Sequence, residues 1–292
     1  MVSQGRLGII GGSGLYNLPD LEIHERCDIA TPFGTPSDRL IVGRLGETDV
    51  VFLPRHGSAH SLTPSELPYR ANIYALKSLG VTHLLTVSAV GSLQEVLPPL
   101  TVVIPDQIID RTVSRPRTFF DNGVVAHVGI ASPYCDCFNR AVAQATMSIG
   151  VTPISGGIYL CIEGPQFSTV AESQLFRSWG ADIIGMTAMP EARLAREAEM
   201  CYSTVAMVTD YDVWHETEGP VTVEMVVKNL RQNTETACSL VQALAQQGLP
   251  ARDCTCCDAL AHAIVTNRDA ITPEIEQRLG VIAKRYLGTP AA

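Results

Sequence analysis

The chain has 292 residues, 46% of them hydrophobic and 17% charged, enough to bury a large core and unlike the composition of a disordered protein. Its net charge of −9 argues against a nucleic-acid partner, which calls for a basic face, yet an anion can still bind where a few Arg, His and backbone N–H groups converge. No apolar run reaches the length of a membrane span and the start, MVSQGRLGIIGG, lacks the long apolar stretch of a signal peptide, so a soluble, cytoplasmic protein without a membrane partner is expected.

The first predicted strand, RLGII, runs into GGSG at residues 11–14. The dinucleotide fingerprint fails there because Asn17 stands at its third glycine, and the nucleophile elbow fails because Leu15 stands where it needs glycine. What survives is a glycine turn that exposes backbone N–H groups beside the Ser13 hydroxyl, either a phosphate nest or a plain tight turn. Predicted strands LIVGRL and DVVFLP follow, and the second ends in PRHG. That places Arg55 and His56 at a strand end, a fork of donors for phosphate beside a ring that donates or shuttles a proton.

A helix, a stopping glycine and a strand then recur three times, with Gly80, Gly150 and Gly180 at the stops. This alternation predicts an α/β fold whose sheet is fed mainly by crossovers. Further strands are expected at TVVIP and CYSTVAMVT, and a long helix from about residue 222 to 245. The main domain is drawn at residues 1–247, and residues 248–292 as a C-terminal helical extension packed on it. Ser88 and Thr187 end two strands and add hydroxyl donors of the kind a phosphate uses. IEGPQFSTVAESQLF holds Glu163, Phe167, whose ring can stack on a planar ligand, and a helix start at Ser168 or Thr169.

The strand CYSTVAMV ends in TDYDVW, where Asp210 and Asp212, two apart on an extended segment, point to one spot. Five strand ends thus carry chemistry-capable residues, where α/β sheets place their sites. The nine cysteines do not make a disulfide scaffold. Two clusters stand out, Cys135 with Cys137 and Cys254 with Cys256 and Cys257, the second near His262. Zinc asks for two pairs at suitable spacing, so packing or a disulfide is favoured over a metal; no metal and no cofactor is expected.

In this order GGSGL, TPFGTPS, PRHG, YRANIYALK, AVGSL, IEGPQFST, GMTAMPEARLAREAEMCY and TDYDVW resemble the trimeric purine nucleoside phosphorylase family, in its 5′-methylthioadenosine phosphorylase branch, over residues 6 to about 245. The resemblance implies an α/β fold, a single domain with a twisted mixed central sheet flanked by helices, and phosphorolysis of methylthioadenosine to adenine and methylthioribose 1-phosphate, with inorganic phosphate as co-substrate. It implies that Ser13, Arg55, His56, Ser88 and Thr187 hold phosphate and that Ala89, Val90 and Gly91 line the nucleoside. Met186 would lie under the ribose, Phe167 near the base, and Val223 and Val227 against the methylthio group. His127 would reach a neighbouring subunit's site in a homotrimer, or a dimer of trimers. Cleavage at C1′ builds cationic character on the sugar and negative charge on the purine. Asp210, its pKa raised by burial, is the expected acid toward N7, and Asp212 the acceptor for the 6-amino group.

Five positions depart from the family pattern. Gln166 replaces an Arg, Ser13 and Ser88 stand where Thr is frequent, Gly185 where some members have Asn, and Val90 where some have Cys. A broader 6-oxopurine or methylthioinosine phosphorylase is the alternative enzyme. A catalytically silent purine-binding assembly protein is the alternative of another class.

Overall fold

The structure, a computed structural model, describes residues 5–16, 18, 20–215 and 223–287. In chain order its strands are β1 (Arg6–Gly11), β2 (Leu21–Cys27), β3 (Leu40–Leu45), β4 (Thr48–Pro54), β5 (Val81–Ser92) and β6 (Val102–Ile104). They continue with β7 (Gln107–Asp110), β8 (Ile154–Ser155), β9 (Ile158–Cys161), β10 (Ile183–Gly185) and β11 (Cys201–Tyr211). The α-helices are α1 (Tyr69–Ser78), α2 (Asp136–Ser148), α3 (Val170–Ser178), α4 (Ala188–Glu197) and α5 (Val223–Gln247), with short α6 (Pro273–Leu279) and α7 (Lys284–Leu287) near the C-terminus.

The described strands join in one mixed sheet, ordered β2-β3-β4-β1-β5-β10-β9-β7, with β11 also paired to β5. Strand β5 is the hub. It lies parallel to β1 on one side and β11 on the other, and its last residues turn to pair antiparallel with β10. Strand β11 is buried from Cys201 to Asp210, as its unbroken apolar and β-branched run requires. Period-two alternation divides the strands between two cores. Ile10, Leu53 and Leu84 face one layer, whereas Ile9, Phe52 and Leu85 face the layer that also holds Leu240 and Val241 of α5. Each such side chain contributes about 1.5–3 kcal/mol by leaving water.

The three predicted glycine stops close α1, α2 and α3: Gly80, Gly150 and Gly180 have φ of 77°, 80° and 78°, a conformation that disfavours any side chain. The start of α3 is set by Thr169, whose hydroxyl accepts from the Glu172 N–H while the Glu172 carboxylate accepts from the Thr169 N–H. Strand β2 had no predicted counterpart, because LEIHERC is mostly exposed and its apolar alternation, Leu21 and Ile23, stops at Glu25. The segment after α5 returns to the body: Leu260, Ile271, Leu279 and Ile282 are buried in the core layer that contains Ile73 and Leu76 of α1.

Candidate active site

The carboxyl ends of β1, β4, β5, β10 and β11 open into one cavity of about 690 Å³. Gly12, Arg55, Ser88 to Gly91, Met186 with Thr187, and Thr209 with Asp210 line it from those five ends, and Leu230, Asn233 and Thr234 of α5 form another wall. The glycine turn is tight for packing reasons. A Cβ on Gly11 would meet Leu15 Cδ1 at 2.2 Å, and one on Gly14 would meet Thr234 Cγ2 at 2.5 Å.

One end of the cavity is cationic and firmly pinned. Arg55 is 4% exposed, donates from Nη1 to the Val87 carbonyl at 2.8 Å, and stands 3.6 Å from the buried carboxylate of Glu191. Glu191 in turn accepts from Tyr202 Oη at 3.0 Å. Burial raises the Glu191 pKa while Arg55 opposes the rise, so the pair is held together by need: either charge alone would be stranded in the core. Beside it His56 Nδ1 lies 2.8 Å from the Leu62 carbonyl, and His60 stacks on the ring at 4.6 Å. Burial, with the Arg55 charge adding to it, lowers the His56 pKa to about 4. The ring is therefore neutral near pH 7, and a proton on Nδ1, donated to Leu62, leaves Nε2 as an acceptor. The hydroxyls of Ser88 and Thr187 face each other at 3.2 Å.

The other end is anionic. Between Val208 and Asp210 the pairing of β11 with β5 slips by one residue, a bulge at Thr209. Asp210 then lies opposite Gly91, where a Cβ would sit 3.1 Å from Asp210 Oδ1. The bulge turns out two carbonyls, and α5 captures both: Asn233 Nδ2 donates to Val208 O at 3.0 Å and Asn229 Nδ2 to Thr209 O at 2.6 Å. Thr209 Oγ1 is 2.6 Å from Asp210 Oδ2 and 3.2 Å from the Val90 carbonyl. A hydroxyl has one proton, so both contacts are hydrogen bonds only when Asp210 is protonated and donates in its turn. Burial raises the Asp210 pKa to about 6, with the Asp212 charge adding to the rise and the Thr209 hydroxyl opposing it. Asp212 is raised by burial too, against nearby Ser168 and Ser173 hydroxyls, and its Oδ2 has no hydrogen-bond partner among the described residues.

Of the residues singled out in the sequence, Arg55, His56, Ser88, Ala89, Val90, Gly91, Phe167, Met186, Thr187, Asp210 and Asp212 line this cavity. Phe167 sits at the rim, 51% exposed. His127 does not line it; that residue is exposed, its N–H bonded to the Ala263 carbonyl at 2.8 Å. The side chains of Ser13, Val223 and Val227 lie outside the described residues. Gln166 is exposed and does not itself line the cavity, although Pro165 and Phe167 on either side of it do. Tyr211 and Trp214 brace the strand end from outside, Tyr211 Oη to Glu95 O at 3.2 Å and Trp214 Nε1 to Ser92 O at 2.8 Å.

Sequence reasoning passed over the supports. Glu191, Asn229, Asn233 and Arg115 lie far along the chain from the groups they hold, with no local pattern to mark them. Arg115 donates to the carbonyls of Met186 at 2.7 Å and Met189 at 2.6 Å, and to that of Glu163 at 2.6 Å. Glu163 itself accepts from the Val113 N–H at 2.6 Å and the Ser114 hydroxyl at 2.5 Å, which lowers its pKa to about 2 against a partial burial that works the other way. It is a loop anchor. Met186 is fixed from its far side as well, since a Cβ on Gly164 would come within 2.6 Å of its sulfur.

A mixed α/β sheet with a cation-and-hydroxyl corner opposite two buried carboxylates describes a protein that brings an oxyanion against a neutral, hydrogen-bonding ligand. Residues 6–246 match the model of the Phosphorylase superfamily, and the chain belongs to that family. Among its relatives, the S-methyl-5′-thioadenosine phosphorylase of Koribacter versatilis is 50% identical over 289 residues, 99% of each chain. That of Gloeobacter violaceus is 50% identical over 97% of this chain and 96% of its own. Among solved structures, a methylthioadenosine phosphorylase sourced from an antarctic soil metagenomic library superposes with a TM-score of 0.90 at 46% identity, covering 96% of this chain and 99% of the other. The methylthioadenosine phosphorylase of Schistosoma mansoni in complex with adenine gives 0.79 at 36% identity, covering 83% and 91%.

Proposed function

We propose that this chain catalyses the phosphorolysis of S-methyl-5′-thioadenosine, releasing adenine and forming S-methyl-5-thioribose 1-phosphate, as a pentosyltransferase without a cofactor. The observation that carries the reading is the pairing, across one cavity, of a buried Arg55 corner with a carboxyl raised to about pKa 6 at Asp210. The relatives named methylthioadenosine phosphorylases over nearly the whole chain supply the choice of nucleoside.

Arg55, Ser88, Thr187 and the glycine turn with Ser13 bind phosphate as donors. The neutral His56 accepts a hydrogen bond on Nε2 from the phosphate's remaining O–H, so that an unprotonated oxygen faces C1′. As the N-glycosidic bond lengthens, that oxygen meets the cationic sugar, and the electrons of the bond pass to the purine. Asp210, which can carry its proton on either oxygen, gives it to N7 of the leaving base. Asp212 accepts from the 6-amino group through its unpartnered Oδ2. A 6-oxo group would set acceptor against acceptor there, and such mismatches are rejected strongly. Met186 floors the ribose, Ala89, Val90 and Gly91 flank the base with Phe167, and Val223 and Val227 receive the methylthio group. We read residues 248–287 as part of the same domain, and the working enzyme as a soluble, cytoplasmic homotrimer in which His127 completes a neighbour's site.

The test is adenine release from methylthioadenosine with and without inorganic phosphate. Release only with phosphate, with methylthioribose 1-phosphate as co-product, is expected. Release without phosphate makes the chain a hydrolase; turnover of methylthioinosine alone reverses the reading of the aspartate pair.

A further inference from the structure

Far from the cavity, four cysteines drawn from three segments converge. Cys135 caps the start of α2, Cys201 opens β11, and Cys254 and Cys256 lie in the segment after α5. Their four sulfurs all lie within 4.8 Å of one another. Cys254 Sγ stands 3.7 Å from Cys135 Sγ and 3.4 Å from Cys201 Sγ. A disulfide draws sulfurs together two at a time to about 2.05 Å, and Cys254 stands almost as close to one candidate as to the other, so no pairing is picked out. Four thiolates around one zinc ion, at about 2.3 Å from the metal, stand about 3.8 Å apart along each tetrahedral edge. The two spacings from Cys254 fall just short of that edge, and no pair of the four sulfurs is more than 4.8 Å apart.

We infer that Cys135, Cys201, Cys254 and Cys256 form a closed structural site for a zinc ion. Soft, all-sulfur, four-coordinate ligation selects a metal of this kind and leaves no open position for substrate. On binding, four S–H protons are released and four Zn–S bonds form, so Zn²⁺ with four thiolates carries a net charge of 2−. Arg196 meets that charge: it is buried, and its Nη1 lies 3.4 Å from Cys256 Sγ. The other end of its guanidinium, Nη2, is held by the Ser132 carbonyl at 2.5 Å. The ion would clasp the segment after α5 to the starts of α2 and β11. Cys201 and Asp210 sit nine residues apart on β11, roughly 30 Å at strand rise, so the metal takes no part in the chemistry. The sequence expectation of no metal rested on the lack of two suitably spaced pairs; here the pair Cys254 and Cys256 is completed by two single cysteines from elsewhere in the chain.

The test is elemental analysis of the full chain, produced with zinc in the medium and purified under reducing conditions without chelator. About one zinc per chain is expected, and exchange with Co²⁺ should give the thiolate-to-cobalt absorption bands of a tetrahedral sulfur site. Cys254→Ser with Cys256→Ser should lose the ion. Cys137→Ser with Cys257→Ser, outside the quartet, should keep it. A metal-free chain whose four thiols react freely once unfolded, or whose non-reduced peptides show disulfides within the quartet, overturns the proposal. Because the unsubstituted chain is read directly, a variant that fails to fold does not blur the result.

Discussion

The two ends of the cavity are built on opposite plans. At the Arg55 end every strong charge has its answer inside the protein: the guanidinium has Val87 and Glu191, and Glu191 has Tyr202. At the Asp210 end two carboxyls share a few hydroxyls, with no cation among the described residues lining that wall. The first arrangement is fixed before any ligand arrives and keeps a buried donor, Arg55 Nε, without a partner among the described residues, so it can hold an anion in fixed geometry. The second is short of one proton and one donor, which a protonated acid and an amino-bearing base supply. Preorganisation at one end and unmet demand at the other is what a reaction joining an oxyanion to a departing base requires.

The largest effect should come from the demanding end. Asp210→Asn keeps the shape and removes the acid, and kcat/KM on methylthioadenosine should fall by about 10²–10⁴. Turnover of a 6-oxo nucleoside should fall much less; an unchanged ratio between the two substrates would show that the carboxyls do not choose the base. At the fixed end, Arg55→Met should raise the phosphate KM and also destabilise the fold by about 3–5 kcal/mol, because Glu191 is left buried and unpaired. Adding Glu191→Gln should restore most of the stability in denaturant titrations but none of the phosphate affinity. If the single substitution leaves stability untouched, the ion pair is not the support it is taken for.

The smallest effect is in stability and pH. The Asp210 pKa is raised from 3.8 to about 6, so the folded state holds a proton there that the unfolded chain has released. Its contribution to stability therefore falls as pH rises from about 4 to about 6 and then stays low, a cost of about 2–3 kcal/mol at pH 8. Asp210→Asn should be more stable than the parent at pH 8 and lose that advantage near pH 4. For the parent, kcat/KM should decline as pH rises through about 6, the pH at which the free enzyme's acid ionises, and the limb should vanish in the variant. His56 runs the other way: with its pKa lowered, its contribution is present above about 6.5 and lost as pH falls toward 4.

Much of this was legible because the signals are local. Apolar runs, glycine stops and the residues just past each strand announce themselves within ten positions, and they located the sheet, α1 to α3 and eleven of the lining residues. What stayed hidden acts at a distance. Nothing near Glu191 says that it will face Arg55, and nothing near Asn233 says that it will cap a carbonyl 25 residues earlier. Gly185 shows the same limit. Its need for glycine comes from Tyr159, whose Oη would lie 2.0 Å from a Cβ there, so the Asn found in some members calls for a change at Tyr159 as well. The cysteine quartet is the extreme case, gathered from positions more than a hundred residues apart.

The bulge in β11 suspends the strand's rule of alternation for a single step, and two consecutive side chains, Thr209 and Asp210, come to share a face that only one of them should own. The acid and its hydroxyl are thereby tethered through Asn229 and Asn233 to a helix that also lends Leu230 and Thr234 to the cavity wall. Helix α5 thus has two duties within two turns: it walls the cavity, and its amides hold the backbone that carries the acid.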